Sequence, residues 1–125
     1  MSALGKIGTK QAKYWGTTQC VFVSETSEVH MMKINSGGFS SKHKHEKKWN
    51  RFIVISGKLK VIIYRDKGEE EIILGPGDIT DVESGVYHRF INLEEETLCA
   101  EVYWIPALSE IDITREDTGG ANWSN

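Results

Sequence analysis

The stretch GGFSSKHKHEKKWNRFIVISG, residues 37–57, joins a histidine pair to an apolar, strand-like run between glycines. On an extended strand, residues i and i+2 project from the same face, so the imidazoles of His43 and His45 can reach one point, as a shared metal ion requires. An exposed polar strand edge shows the same pattern. The pair alone therefore leaves a metal site and a polar edge both open.

Outward from this stretch, β-branched and aromatic residues cluster in eight segments of strand length, separated by glycine turns and charged loops. No window of helical length has an amphipathic helical pattern. The sequence therefore predicts an all-β fold, either a sandwich or a barrel. The predicted strands are Gln19–Ser24, Val29–Asn35, Trp49–Ser56, Lys58–Tyr64, Glu70–Leu74, Asp78–Val82, Val86–Leu93 and Thr97–Ile105.

The composition is that of one globular domain. The chain has 125 residues, of which 39% are hydrophobic and 26% charged, and its formal net charge is −3. That balance gives no global attraction to nucleic acid, and the apolar runs are far shorter than the roughly 20 residues that cross a bilayer. The first residues carry no apolar signal core. We therefore expect a cytoplasmic protein with no nucleic-acid or membrane partner.

A third histidine lies in GDITDVESGVYHRFIN, residues 77–92, and the two blocks together resemble the two signature motifs of the cupin superfamily. Asn50 stands where that family usually has Glu, and Glu83 where it usually has Pro. The resemblance implies a single-domain cupin-type jelly-roll β-barrel, with N-terminal strands at 1–36, the barrel at 37–105 and a C-terminal tail at 106–125. The matching positions are Gly37, His43, His45, Gly57, Gly77, Gly85, His88 and Asn92.

The cupin resemblance also implies one divalent metal ion inside the barrel, with Zn, Mn, Fe and Ni all open. By position, His43, His45 and His88 become its ligands, and Asn50 takes the fourth place. An amide oxygen is a neutral donor, so a divalent ion held by three neutral imidazoles and Asn50 would leave the site with a net charge of about +2. A vestigial pocket without metal is the alternative.

The flanking segments are similar to a narrower group, the type II mannose-6-phosphate isomerase family, a cupin domain also fused to mannose-1-phosphate guanylyltransferases. The similarity runs through Trp15-Gly16, HKHEKKWNRFIVISGKLKV, YHRFIN and LCAEVYWIPALSEIDITREDTGG. Lys42 and Asn50 replace the Gln and Glu of that family, and the tail lacks its Tyr and last Arg. The resemblance implies a sugar-phosphate isomerase of the mannose 6-phosphate/fructose 6-phosphate class.

Such an isomerisation needs polarisation of the carbonyl, a base that moves a proton between C1 and C2, and cations that hold the phosphate. Two carboxylates are candidates for the base, Glu101 and Glu83. Three cationic side chains are candidates for the phosphate, namely Lys42, Arg89 and Arg115. The expected partner is therefore a small anionic sugar-type ligand.

Strand alternation places Phe52, Val54 and Phe90 on the ligand side, as pocket lining. Two other functions remain open. A cupin of this kind can bind a sugar or sugar nucleotide without turning it over, and a three-histidine site with open positions also suits a metal-dependent dioxygenase. Jelly-roll cupins commonly dimerise by pairing sheet edges, and the apolar run 21–23 suits such pairing, so the cupin resemblance also implies a homodimer.

Overall fold

Nine β-strands form the secondary structure of residues 7–105 and 121–122, which are the residues that the computed structural model describes. The all-β prediction is confirmed, and each of the eight predicted segments forms a strand. One further strand, β1, was not predicted, because its sequence KQAK has no β-branched or aromatic side chain. The strands are β1 Lys10–Lys13, β2 Gly16–Val23, β3 Ser27–Asn35, β4 Trp49–Ser56, β5 Leu59–Arg65, β6 Gly68–Leu74, β7 Ile79–Val82, β8 Tyr87–Asn92 and β9 Glu96–Trp104.

The strands pair into two antiparallel sheets, as a cupin jelly roll requires. The larger sheet has the order β1-β2-β3-β9-β4-β7 and the smaller has the order β6-β5-β8. Alternate residues of β4 and β8 are buried, so one face of each sheet contributes to a shared apolar core. The core side chains are Met32, Ile34, Phe52, Val54, Leu59, Val61, Ile63, Leu74, Val82, Phe90 and Cys99.

Gly57 marks the point where the chain leaves the larger sheet at the end of β4 and enters the smaller one at β5. Its φ is +91°, a left-handed conformation that glycine adopts without steric cost. A Cβ at this position would lie 2.6 Å from the carbonyl oxygen of Glu96, so no larger side chain fits without a backbone shift. This glycine therefore fixes the crossing that brings the two sheets face to face.

Asn92, which ends the second sequence block, is buried and connects β8 to β3. Its Nδ2 donates to the carbonyl oxygens of Ile34, at 3.1 Å, and Asn35, at 2.8 Å. The Thr97 hydroxyl donates to its Oδ1 at 2.7 Å. Because each buried polar atom of the side chain has a partner, Asn92 serves the architecture rather than the chemistry.

The tail at 106–125 lies outside the described residues apart from 121–122. Within the described ranges, no helix is long and apolar enough to span a membrane. The run 21–23 lies on β2, where Val21 and Phe22 are exposed and Val23 is buried. The homodimer remains a prediction.

Candidate metal centre

Backbone hydrogen bonds bring the three histidines of the two sequence blocks together. His43 and His88 form an antiparallel bridge, in which His43 N–H donates to His88 O at 3.0 Å and His88 N–H donates to His43 O at 2.8 Å. The Gly85 N–H donates to His45 O at 2.7 Å. The histidine pair thus lies in an extended loop between β3 and β4, outside the predicted strands, and its backbone hydrogen bonds to Gly85 and β8 fix its position.

One ring nitrogen from each of His43, His45 and His88 lies within 4.8 Å of the other two. Nδ1 of His43 donates to the carbonyl oxygen of Ser41 at 2.9 Å, and Nδ1 of His88 donates to that of Val86 at 3.0 Å. Because a carbonyl only accepts, both rings carry their proton on Nδ1 and keep a lone pair on Nε2. This is the tautomer that a metal-binding imidazole needs.

The buried Nε2 of His45 is the observation that shows whether a metal fits the histidine group. It has no hydrogen-bond partner, although buried polar atoms normally have one. A cation bound between the three imidazoles would satisfy this nitrogen together with the lone pairs of His43 and His88. Imidazole nitrogens suit Zn, Fe and Ni, so the residues present fit a divalent transition metal.

Asn50 lies beside this group on β4 and is fully buried. Its Nδ2 is 3.3 Å from Nε2 of His88 and donates to Oε2 of Glu101 at 3.2 Å. Its Oδ1 is buried and has no hydrogen-bond partner. The fourth position inferred from the sequence is therefore adjacent to the histidines, and metal ligation by Asn50 remains a prediction.

The two candidate bases have different surroundings. Glu101, on β9, is 7% exposed, and it accepts hydrogen bonds from Asn50 and from the Tyr103 hydroxyl. Burial raises the pKa of its carboxyl above the ordinary range. The Glu83 side chain is 38% exposed and accepts from Arg65 at 2.6 Å. Of the two candidates, only Glu101 contacts Asn50, the residue beside the histidine group.

A cleft of about 1180 Å³ opens beside the histidines and is bounded by β1, β2, β3, β8, β9 and the loop after β3. His43 and Glu101 both line it, as do three side chains to which the sequence assigned no role, Lys13, His30 and Tyr103. The alternation of β3, with Met32 and Ile34 buried, is the sequence signal that places His30 on the inner face. The remaining lining residues are Gln11, Ala12, Tyr14, Trp15, Thr18, Met32, Gly37, Gly38, Phe39, Ser40, Ser41 and Phe90.

The candidate phosphate-binding residues are distributed unevenly around this cleft. Lys42 Nζ lies 4.0 Å from the ring centroid of Tyr64, a residue of the smaller sheet. The Arg89 guanidinium lies 5.8 Å from the ring centroid of Phe39, which lines the cleft, and its buried Nε has no hydrogen-bond partner. Arg115 lies outside the described residues. Neither Lys42 nor Arg89 lines the cleft itself, but Arg89 contacts a residue that does.

The three predicted lining residues all point inward. Phe52 and Val54 are fully buried in the core, and the Phe52 ring lies 6.1 Å from that of His88. Phe90 lines the cleft, and its ring meets that of Trp15 edge to face at 5.1 Å. Phe52 therefore packs against His88 from the core side, whereas Phe90 and Trp15 form part of the cleft wall.

Two of the imidazoles resist protonation. Burial, with smaller contributions from the charges of His43, His88 and Lys48, lowers the pKa of His45 to about 4. Burial also lowers the pKa of His88. Protons compete with a metal for an imidazole mainly below its pKa, so at pH 5 to 6 His45 is already available to a metal, and burial makes His88 more available than an unperturbed imidazole.

We therefore expect the affinity for Zn²⁺ to fall by less than about a hundredfold between pH 6 and pH 5, since each imidazole that takes up a proton contributes at most about tenfold per pH unit and His45, with its pKa lowered to about 4, contributes almost nothing in this range. Three imidazoles with an ordinary pKa near 6.5 would give a fall of roughly several hundredfold over the same range. Competition titrations against a chelator at constant ionic strength measure this slope. A fall of the larger size would contradict the lowered pKa values.

The cupin resemblance is decided by comparison with a family model. A model described as "Cupin domain" matches residues 30–106, which is more than half of the chain and includes all three histidines of the group. The chain belongs to the cupin family. A comparison with curated proteins gave no match. The narrower similarity to the type II mannose-6-phosphate isomerases remains a prediction.

Solved structures of several cupins are similar to this one. KdgF from Halomonas sp. is 19% identical with a TM-score of 0.69, covering 78% of this chain and 87% of its own. The oxalate decarboxylase of Bacillus subtilis, which has Mn(II) centres, is 24% identical with a TM-score of 0.70, covering 80% of this chain and 28% of its own. The cupin domain of Cnp3 from Schizosaccharomyces pombe is 13% identical with a TM-score of 0.69, covering 87% and 76%. At these identities the similarity shows a shared fold, and the decarboxylase chain is more than three times as long as the part that matches.

Proposed function

We propose that this cupin is a metal-dependent enzyme that moves a proton within a small sugar-type substrate, as a sugar-phosphate isomerase of the mannose 6-phosphate/fructose 6-phosphate class does. The observation that carries the proposal is the cleft shared by His43 and Glu101, which places a metal-binding imidazole and a buried carboxylate around one volume. His43, His45 and His88 would hold a divalent ion, which when bound would supply the Lewis acidity to polarise a carbonyl oxygen of the substrate.

Glu101 is the group that moves the proton in this proposal. Its carboxylate takes the proton from C2 of the aldose and returns it to C1, while the hydroxyl proton passes from O2 to O1, so that aldose and ketose have the same composition. Burial raises the pKa of Glu101, which makes its carboxylate a stronger base than an exposed one. Hydrogen bonds from Asn50 and Tyr103 hold the carboxylate in place.

An anionic group on the substrate would meet one cationic side chain in the cleft lining and a second that packs against the cleft wall. Lys13 lines the cleft directly, and Arg89 packs against the ring of Phe39, which is part of its wall. Lys and Arg side chains are the usual ligands of phosphate in proteins. Lys13 therefore joins Arg89 as a candidate for binding the phosphate.

Two other functions have an observation in their favour. The aromatic rings of Trp15, Phe39 and Phe90 in the cleft wall suit sugar binding without turnover. A metal group built from three imidazoles suits a dioxygenase. The isomerase assay below separates all three.

Metal-loaded protein is expected to convert mannose 6-phosphate into fructose 6-phosphate in a coupled assay and to leave mannose unchanged. The phosphate supplies charge-assisted contacts that the parent sugar lacks. Glu83→Gln is the matched control and is expected to keep full activity, because Glu83 is paired with Arg65. Binding of the sugar phosphate without product would favour the binding module, and substrate-dependent oxygen consumption would favour the dioxygenase. Either result overturns the isomerase.

A further inference from the structure

The carboxylate of Glu101 lies next to the position at which this chain departs from the usual cupin motif. Asn50 of β4 pairs with Tyr103 of β9, and Glu101 is two residues before Tyr103 on the same strand. Asn50 and Glu101 are therefore diagonal neighbours on the inner face of the larger sheet. Their side chains meet in the hydrogen bond of 3.2 Å from Nδ2 to Oε2.

Among the described residues, Glu101 is the one buried acidic side chain, and no Lys or Arg nitrogen of that part of the chain lies within ion-pair distance of it. Other acidic side chains near the site have cationic partners at the surface, such as Glu46 with Lys44 at 3.6 Å. Burying an anion without a cation is costly. A cation held by the neighbouring histidines would offset that cost.

We propose that the negative charge of the metal site has moved from β4 to β9 in this chain. Glu101 supplies the charge, and Asn50, which stands in the usual glutamate position, holds the carboxylate beside His88. The Asn50 amide nitrogen donates to Glu101 Oε2 at 3.2 Å and lies 3.3 Å from His88 Nε2, which places the carboxylate next to the histidine group. Both residues are positioning residues for the metal, and the inference rests on the metal site of the proposed function but not on its reaction.

The relocation changes what a single substitution does. Asn50→Glu alone would set two carboxylates side by side in a buried site, where like charges repel and one must take up a proton. Combining Asn50→Glu with Glu101→Gln instead exchanges the amide and the carboxylate while keeping one charge. The double variant therefore has the usual cupin arrangement.

The experiment is titration with Mn²⁺ alone, without substrate, on wild type, Glu101→Gln, Asn50→Glu/Glu101→Gln and Glu83→Gln. Glu101→Gln is expected to weaken Mn²⁺ binding by about 10 to 100-fold, as the loss of a second-sphere carboxylate does. The double variant is expected to recover most of that loss, and Glu83→Gln to bind as wild type. Wild-type affinity in Glu101→Gln, or no recovery in the double variant, overturns the inference.

Should Glu101→Gln fail to fold by circular dichroism, Asn50→Ser provides the second arm. It keeps the carboxylate but shortens the side chain that connects it to His88, so weaker Mn²⁺ binding is expected and wild-type affinity contradicts the inference. Because substrate is absent, the two proposals fail separately. Unchanged Mn²⁺ affinities with an active wild-type isomerase refute the relocation only, whereas the expected affinity changes with a metal-loaded wild type that does not convert mannose 6-phosphate refute the isomerase only.

Discussion

His88→Ala is expected to lower the affinity for Zn²⁺ or Mn²⁺ by at least about a hundredfold, because it removes one of three imidazoles that supply the neutral donors of the site. His43→Ala and His45→Ala are expected to have effects of the same order, since one nitrogen of each lies within the same 4.8 Å group. Elemental analysis of protein purified without added metal, followed by titration of the apo form, measures the loss.

His30→Ala is the matched control for these three substitutions. His30 lines the same cleft and lies partly buried beside Tyr103, but it pairs with Glu28 at 3.0 Å and is not part of the histidine group. It is expected to keep wild-type metal affinity. Equal metal content in all four variants and the wild type would show that the histidine group holds no metal.

The sequence predicted the histidine group because its geometry depends on short spacings and one pairing. His43 and His45 are two residues apart, and the bridge between His43 and His88, together with the hydrogen bond from Gly85 to His45, completes the set. The strands were predictable for a similar reason, since β-branched residues and glycine turns mark them locally. Strand β1 has no such side chains, and its pairing with β2 alone makes it a strand.

The role of Glu101 depends on strand register, which local sequence does not contain. In the sequence, Glu101 and Glu83 both lie near an aromatic residue, and their neighbouring residues give no reason to choose one rather than the other as the base. The pairing of β9 with β3 and β4 places Glu101 on the inner face beside Asn50, whereas Glu83 lies between β7 and β8 and meets Arg65. A one-residue shift of that register would turn Glu101 outward.

Which cationic side chains reach the cleft also depends on the fold and not on distance along the sequence. Lys42 lies one residue before His43, and sequence distance alone suggests that it reaches the ligand. In the fold its ammonium group lies over the ring of Tyr64, and a cation–π contact of this kind competes with a substrate for the charge. Lys13, far away in sequence, lines the cleft because β1 pairs with β2.

Glu101→Gln, assayed at saturating metal, is expected to lower kcat for mannose 6-phosphate by about 10² to 10⁴-fold, the usual contribution of a general base. KM is expected to change little, because the amide keeps the size and the hydrogen bonds of the side chain without its basicity. Loss of solvent deuterium incorporation at C1 or C2 of the sugar provides an independent reading of the same step. Glu83→Gln is again the control and is expected to retain the wild-type kcat.

The Asn50→Glu/Glu101→Gln variant separates the two roles assigned to Glu101. A carboxylate at position 50 lies beside His88, but Asn50 does not line the cleft, whereas Glu101 does. The double variant is therefore expected to bind metal nearly as well as wild type while its kcat stays as low as that of Glu101→Gln. Because proton transfer requires hydrogen-bond reach to the substrate, restored charge without restored position leaves the reaction slow. Wild-type turnover in either variant would show that Glu101 is not the base.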